Sequence, residues 1–91
     1  MKASNNQILT AMIMLKEEKA EEWEARFGPG SIPFTGMQRA DVQDKVETML
    51  DISYTSAGFR SRLRTLEDKG ILTSIRIGDR TKFYFTNTNK D

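Results

Sequence analysis

Residues 55–86 read TSAGFRSRLRTLEDKGILTSIRIGDRTKFYFT, a helical pattern followed by two β patterns. In the first part, Phe59, Leu63 and Leu66 recur at the spacing of one helix face. This narrow apolar stripe predicts an amphipathic helix over about 56–69, with a polar face opposite the stripe. The glycine that follows the last turn is typical of a helix end.

The second part of this stretch predicts a β-hairpin over 71–86. Two runs rich in β-branched and aromatic residues flank Gly78-Asp79-Arg80, which is a turn signal. A loop with an odd number of residues keeps the apolar side chains of both strands on one face. The predicted register pairs Ile75 with Phe83, Ile77 with Thr81, Arg76 with Lys82 and Ser74 with Tyr84.

The chain before this stretch predicts two further helices and a short strand. Apolar residues at helical spacing indicate a long helix over about 5–27, which a Gly-Pro-Gly sequence ends. The proline in 31–34 limits that segment to a short edge strand. A capping-box pattern and four apolar residues predict a helix over about 36–50. The polar tail 87–91 is expected to fray.

Composition limits both the number of domains and the available chemistry. The 91 residues are 37% hydrophobic and 30% charged, which fits one folded domain over 1–91. The absence of cysteine and histidine excludes disulfides, thiolate or imidazole metal sites, and triads with an imidazole base. No apolar run approaches the roughly 20 residues of a membrane span, and the start of the chain lacks a signal-peptide pattern. We therefore expect a cytoplasmic protein.

Charge is divided unevenly along the chain, although the net charge is only +1. Residues 1–52 carry six Lys or Arg against nine Asp or Glu, giving −3, and residues 53–91 carry eight against four, giving +4. This asymmetry indicates that one face of the domain meets a polyanion. Charge complementarity between the two halves of the fold is the alternative interpretation.

The order helix, short strand, helix, turn, helix, β-hairpin resembles the winged helix-turn-helix domain over most of residues 32–86. Leu63, residues 66–72 (LEDKGIL) and residues 78–86 (GDRTKFYFT) are similar to the recognition helix and wing of bacterial and archaeal transcription regulators, including the multiple-antibiotic-resistance type. The resemblance implies an α+β fold, a three-helix winged helix-turn-helix with a long N-terminal helix and a C-terminal β-hairpin wing. It also implies that the helix over 56–69 recognises double-stranded DNA.

The predicted DNA-binding face of this helix is small, polar and cationic. Small side chains let a helix approach base edges in the major groove, where Arg60 and Arg64 are predicted to contact guanine. Hydroxyl groups at the helix N-terminus are suited to hold a phosphate. The candidate residues on the helix are Thr55, Ser56, Ala57, Arg60, Ser61 and Arg64. The alternative is that the arginines only solvate an exposed helix face.

Three cations on the wing, Arg76, Arg80 and Lys82, are candidates for contacts with phosphates or with an adjacent minor groove. For Arg76 and Lys82, an equal alternative is a charged strand that prevents aggregation through the sheet edge. The place of Arg80 at the predicted tip favours contact with DNA.

The second half of the N-terminal helix has two further features. Trp23 and Phe27 need a burial partner besides the core, so we predict a dimer interface there and a homodimer as the assembled form. The alternative is that the helix end folds back and Trp23 covers its own core. The acidic run over 17–22 is interpreted as a solvated face rather than a Mg²⁺ site, because lysines lie among its carboxylates.

These patterns favour a sequence-specific double-stranded DNA-binding protein, a small repressor-like transcription regulator. No catalytic residue, metal, cofactor, small-molecule effector or membrane contact is predicted. The alternative function is a winged-helix protein-interaction module that docks on transcription or replication machinery. Salt separates the two functions, because phosphate binding weakens steeply as salt rises and an apolar protein interface does not.

Overall fold

Three helices and a β-hairpin follow one another along the chain. The structure, a computed structural model, describes residues 2–87. Its helices are α1 (Asn5–Phe27), α2 (Arg39–Leu50) and α3 (Ser56–Asp68), and its strands are β1 (Leu72–Ile77) and β2 (Thr81–Thr86). The arrangement is α+β, with one two-stranded antiparallel sheet in the described residues, and it is compatible with a winged-helix layout.

The three helices enclose one apolar core, and the base of the hairpin completes it. Phe59, Leu63 and Leu66 of α3 are fully buried, which confirms the predicted stripe. Burial of this stripe sets the rotation of α3 and turns its polar face outward. The other core residues are Ala3, Ile8, Ala11, Met12, Met37, Val42, Val46, Leu72 and Tyr84.

The first helix, α1, spans the range that the sequence predicts. Ser4 caps it, because its hydroxyl accepts a hydrogen bond from the Gln7 N–H at 3.1 Å and its N–H donates to the Gln7 side chain at 2.8 Å. The helix ends before Gly28, whose φ of 92° strongly favours glycine. The buried residues of α1 all precede Ile13, so the second half of the helix extends beyond the core.

The predicted edge strand at 31–34 is wrong, because this segment does not pair with the hairpin. Met37 takes that role with a single antiparallel bridge to Tyr84. The Met37 N–H donates to the Tyr84 carbonyl at 3.0 Å, and the Tyr84 N–H donates to the Met37 carbonyl at 2.7 Å. The backbone at Met37 is therefore bound to β2 and is not free to form a helix.

The start of α2 also differs from the prediction, which placed it near residue 36. Gly36 is buried, and a Cβ there would lie 2.7 Å from Phe34 Cζ and 2.8 Å from Phe85 Cζ. These rings close over the backbone and hold it against the sheet. The helix therefore begins at Arg39, and the N–H of its N-cap residue, Gln38, donates to a carboxylate oxygen one turn ahead at 3.4 Å.

The turn between α2 and α3 is held by the carboxylate of Glu47. Its Oε2 accepts hydrogen bonds from the Tyr54 N–H at 2.7 Å and from the Gln43 side-chain amide at 3.1 Å. The bond from Tyr54, and after it the bond from Gln43, holds the pKa of Glu47 below its ordinary value of 4.5. Glu47 therefore holds the turn before α3 to α2 through hydrogen bonds that favour its ionised form.

We expect this carboxylate to make stability depend on pH in acid. Because the pKa of Glu47 is lower in the folded chain, its charge stabilises the fold above the pH where an unfolded Glu titrates. That contribution is lost as the pH falls through the folded pKa. Urea unfolding of the wild type and Glu47→Gln should therefore show a difference at neutral pH that shrinks in acid. A difference that stays constant down to about pH 2 would contradict this assignment.

The hairpin has the predicted register, with Ile75 opposite Phe83 and Arg76 opposite Lys82. The predicted frayed tail is wrong at its first residue. The Asn87 N–H donates to the Ile71 carbonyl at 3.0 Å. The side-chain amide of Asn87 donates to the Gly70 carbonyl at 3.0 Å and accepts a hydrogen bond from the Thr73 hydroxyl at 2.7 Å. These bonds close the base of the hairpin. The rest of that tail, residues 88–91, lies outside the described residues.

Candidate nucleic-acid interface

The outward face of α3 carries the residues predicted to approach base edges. Ala57, Arg60, Ser61 and Arg64 are all exposed. Their spacing of three, four and seven residues places them on one side of the helix, opposite the buried stripe. This face has the small and cationic side chains that major-groove contact requires.

The N-terminus of α3 is built around the Thr55 hydroxyl. Its oxygen accepts a hydrogen bond from the Gly58 N–H at 3.0 Å, and a Cβ at residue 58 would lie 2.9 Å from it. Glycine therefore leaves room for the cap to close. A hydroxyl that accepts one bond can still donate another, so exposed Thr55 and its exposed neighbour Ser56 can each donate to a phosphate oxygen.

Near its tip, the wing, which is the hairpin of β1 and β2, directs cations toward α3 and apolar side chains away from it. Because side chains alternate along a strand, Ser74, Arg76, Lys82 and Tyr84 share one face, called here the inner face of the wing. Tyr84 is buried, Lys82 is half-buried and Arg76 is exposed. The inner face thus changes from core at its base to cationic surface near the tip.

Glu67 of α3 fastens the wing to the helix. Its Oε1 lies 3.5 Å from Lys82 Nζ, and its Oε2 accepts a hydrogen bond from the Ser74 hydroxyl. The ammonium of Lys82 also lies 5.3 Å from the centre of the Tyr84 ring. Lys82 therefore has an intramolecular partner and a place in positioning the wing, in addition to its predicted contact with DNA.

The inner face of the wing, α3 and the start of α2 enclose an open groove of about 390 Å³. We call it the basic groove, because its lining residues in the described chain include cations from all three elements and no acidic residue. Its cations are Arg39, Arg60, Arg76, Arg80 and Lys82.

The basic groove brings together four of the predicted DNA-binding residues, one of which lies 16 to 22 positions before the other three in sequence. Arg60 comes from α3, whereas Arg76, Arg80 and Lys82 come from the wing. The other candidates on α3 do not line the groove and continue the exposed surface of that helix: Thr55, Ser56, Ala57, Ser61 and Arg64.

Sequence reasoning missed Arg39, the first residue of α2. Its guanidinium donates to the Gln43 side chain and lines the basic groove. A cation in the first turn of a helix opposes the helix dipole, so its presence there is itself a signal. Because α2 was expected to start near residue 36, Arg39 was not identified as the first residue of the helix.

Arg62 does not belong to the exposed face of α3, although it lies between Arg60 and Arg64 in sequence. Its Nη2 donates to the Ala3 carbonyl at 2.6 Å and to Asn5 Oδ1 at 3.2 Å, and its Nη1 donates to the Tyr54 hydroxyl at 3.2 Å. The same hydroxyl accepts a bond from the Ala3 N–H at 2.7 Å. Half-buried Arg62 therefore ties the start of the chain to α3.

The two residues predicted to form a dimer interface lie side by side at the end of α1. The ring centres of Trp23 and Phe27 are 4.5 Å apart, and Phe27 is 59% exposed. The helix continues unbroken to Phe27, and Trp23 is half-buried within the single chain. Of the acidic run that precedes them, Glu18 forms an ion pair with Lys45 of α2 at 2.6 Å.

Neither a membrane span nor a metal cluster is found in the described chain. The helices there are too short or too polar to cross a bilayer. Among residues 2–87, no three His, Cys, Asp or Glu side chains are grouped so that they could hold a metal ion. Comparison of the chain with protein-family models, with curated proteins and with solved structures finds no match.

Proposed function

We propose that this chain binds double-stranded DNA through the basic groove and the exposed face of α3, and that it regulates transcription by occupying its site. The observation that carries the proposal is the convergence of five cationic residues from three elements on one open groove. Cations gathered in this way repel one another, and a polyanion relieves the repulsion. Glu67, bound to Lys82, is a carboxylate that offsets only part of this charge.

In this proposal, α3 contacts the bases, and the wing and the start of α2 contact phosphates. Exposed Arg60 and Arg64 reach base edges from α3, where each good bidentate contact with guanine gives roughly 1 to 3 kcal/mol of discrimination. Arg39, Arg76 and Arg80 contact phosphates on either side of that helix. Hydroxyls at the start of α3 supply further phosphate contacts.

The salt dependence of binding tests this proposal. Fluorescence anisotropy with a labelled duplex of mixed sequence should give a linear fall of log K with log salt. Neutralising three to five phosphates predicts a slope of about −3 to −5, at roughly 0.9 per phosphate. Selection from random duplexes should then enrich a motif, because α3 reads base edges. A flat salt response would instead support the protein-interaction module.

A further inference from the structure

We infer that a second copy of this chain binds on the side of the wing away from the basic groove, through an apolar band that runs from the end of α1 to the outer face of the wing. The inference goes beyond DNA binding, because it concerns the surface that the proposed function leaves unused. The apolar band consists of Trp23, Phe27, Phe34, Ile75, Ile77 and Phe83.

The band is continuous because Phe34 joins its two ends. Phe34, Trp23 and Phe27 line one open hollow of about 710 Å³. On its other side, the Phe34 ring packs edge-on against Phe83, with ring centres 5.1 Å apart. Phe83 lies opposite Ile75 in the hairpin, so the contact extends onto the outer face of the wing.

The exposed apolar area is large for so small a chain. The exposed fractions are 59% for Phe27, 41% for Phe34, 44% for Ile75 and 49% for Ile77. At roughly 150 to 200 Å² for each large side chain, these fractions amount to about 350 Å². A stable interface buries about 800 Å² on each partner, so these four side chains alone supply more than a third of that area.

One feature of α1 indicates that its second half is incomplete in a single chain. No residue of α1 after Met12 is buried, although a free helix of this length is marginal in water. Packing against a second chain supplies the burial that this half of the helix lacks.

The charges around the hollow indicate which partner fits. Lys19, Glu22 and Arg26 line it, and none of them is in an ion pair within residues 2–87. These three residues form the charged rim of the hollow, and because the rim carries both signs, an acidic or a basic partner would meet like charge on part of it. In a dimer with a two-fold axis, each copy presents the same surface to the other. If the ends of the two α1 helices lie antiparallel, Glu22 of each copy can pair with Arg26 of the other.

Charge reversal tests this arrangement by sedimentation equilibrium on the full chain. The wild type should have twice the 10.4 kDa mass of one chain. Glu22→Arg alone and Arg26→Glu alone should each shift toward one chain mass, because the side chains at positions 22 and 26 then have the same sign and repel each other across the two-fold axis. An equimolar mixture of the two variants should recover the doubled mass, because positions 22 and 26 are then positive in one chain and negative in the other.

Glu17→Arg is the matched control, since residue 17 lies on the same helix but does not line the hollow, and this variant should stay dimeric. Circular dichroism on each variant verifies the fold. A wild type of single-chain mass up to about 100 µM, or a mixture that does not recover the doubled mass, would overturn the inference. Single variants that remain dimeric would place the interface elsewhere. Sedimentation of the free chain involves no DNA, and the salt titration shows whether DNA binds whatever the number of chains, so the two proposals fail separately.

Discussion

Replacing Arg60 and Arg80 together with alanine will raise the dissociation constant for a DNA duplex at least tenfold at about 100 mM salt. Both arginines line the basic groove, Arg60 from α3 and Arg80 from the tip of the wing, and both side chains are exposed. Neither is in an ion pair among residues 2–87, so the free energy of unfolding should change by less than about 0.5 kcal/mol. Anisotropy titration and urea unfolding measure the two quantities.

The single variants separate base contact from phosphate contact. Arg60→Ala should relax sequence preference in a selection from random duplexes, because it removes a base contact. Arg80→Ala should weaken binding to all duplexes alike and reduce the salt slope by about 1. Lys16→Ala, on α1 and outside the basic groove, is the control and should bind like the wild type. If both arginine variants also bind like the wild type, the assigned surface is wrong.

Arg62→Ala should instead reduce stability without affecting DNA binding, and it should lower the free energy of unfolding by about 2 to 4 kcal/mol. Its guanidinium makes three hydrogen bonds, and its removal leaves the carbonyl of buried Ala3 without that charged donor. The expected cost is large because hydrogen bonds to charged groups contribute about 1.5 to 3 kcal/mol each. Where the variant is folded, its affinity for DNA should be unchanged, since the side chain points to the start of α1.

A second variant tests whether Arg62 acts through this network. Tyr54→Phe removes the hydroxyl that accepts hydrogen bonds from both Arg62 and Ala3. Because the two side chains share one network, the double variant should lose less stability than the sum of the single losses. Additive losses, or a change below about 0.5 kcal/mol for Arg62→Ala, would show that the network contributes little.

The contrast between Arg60 and Arg62 shows why the candidate site was only partly predictable. The two arginines are only two residues apart in α3, and neither belongs to the apolar stripe that forms the core. The helical period leaves Arg62 outside the core, but it does not show that this side chain binds Ala3, which is 59 residues earlier in the chain. Arg39 was missed for a related reason, since its role depends on the wing folding back over the start of α2.

Local chemistry determined α1, α3 and the hairpin register, because helix periodicity, caps and loop length act between residues that are close in sequence. Tertiary structure decided the start of α2 and the partner of β2. The Met37 bridge to Tyr84 and the enclosure of Gly36 by two phenylalanine rings outweigh a local capping pattern. Tertiary structure also assembled the basic groove, because its cations come from three elements that only packing brings together.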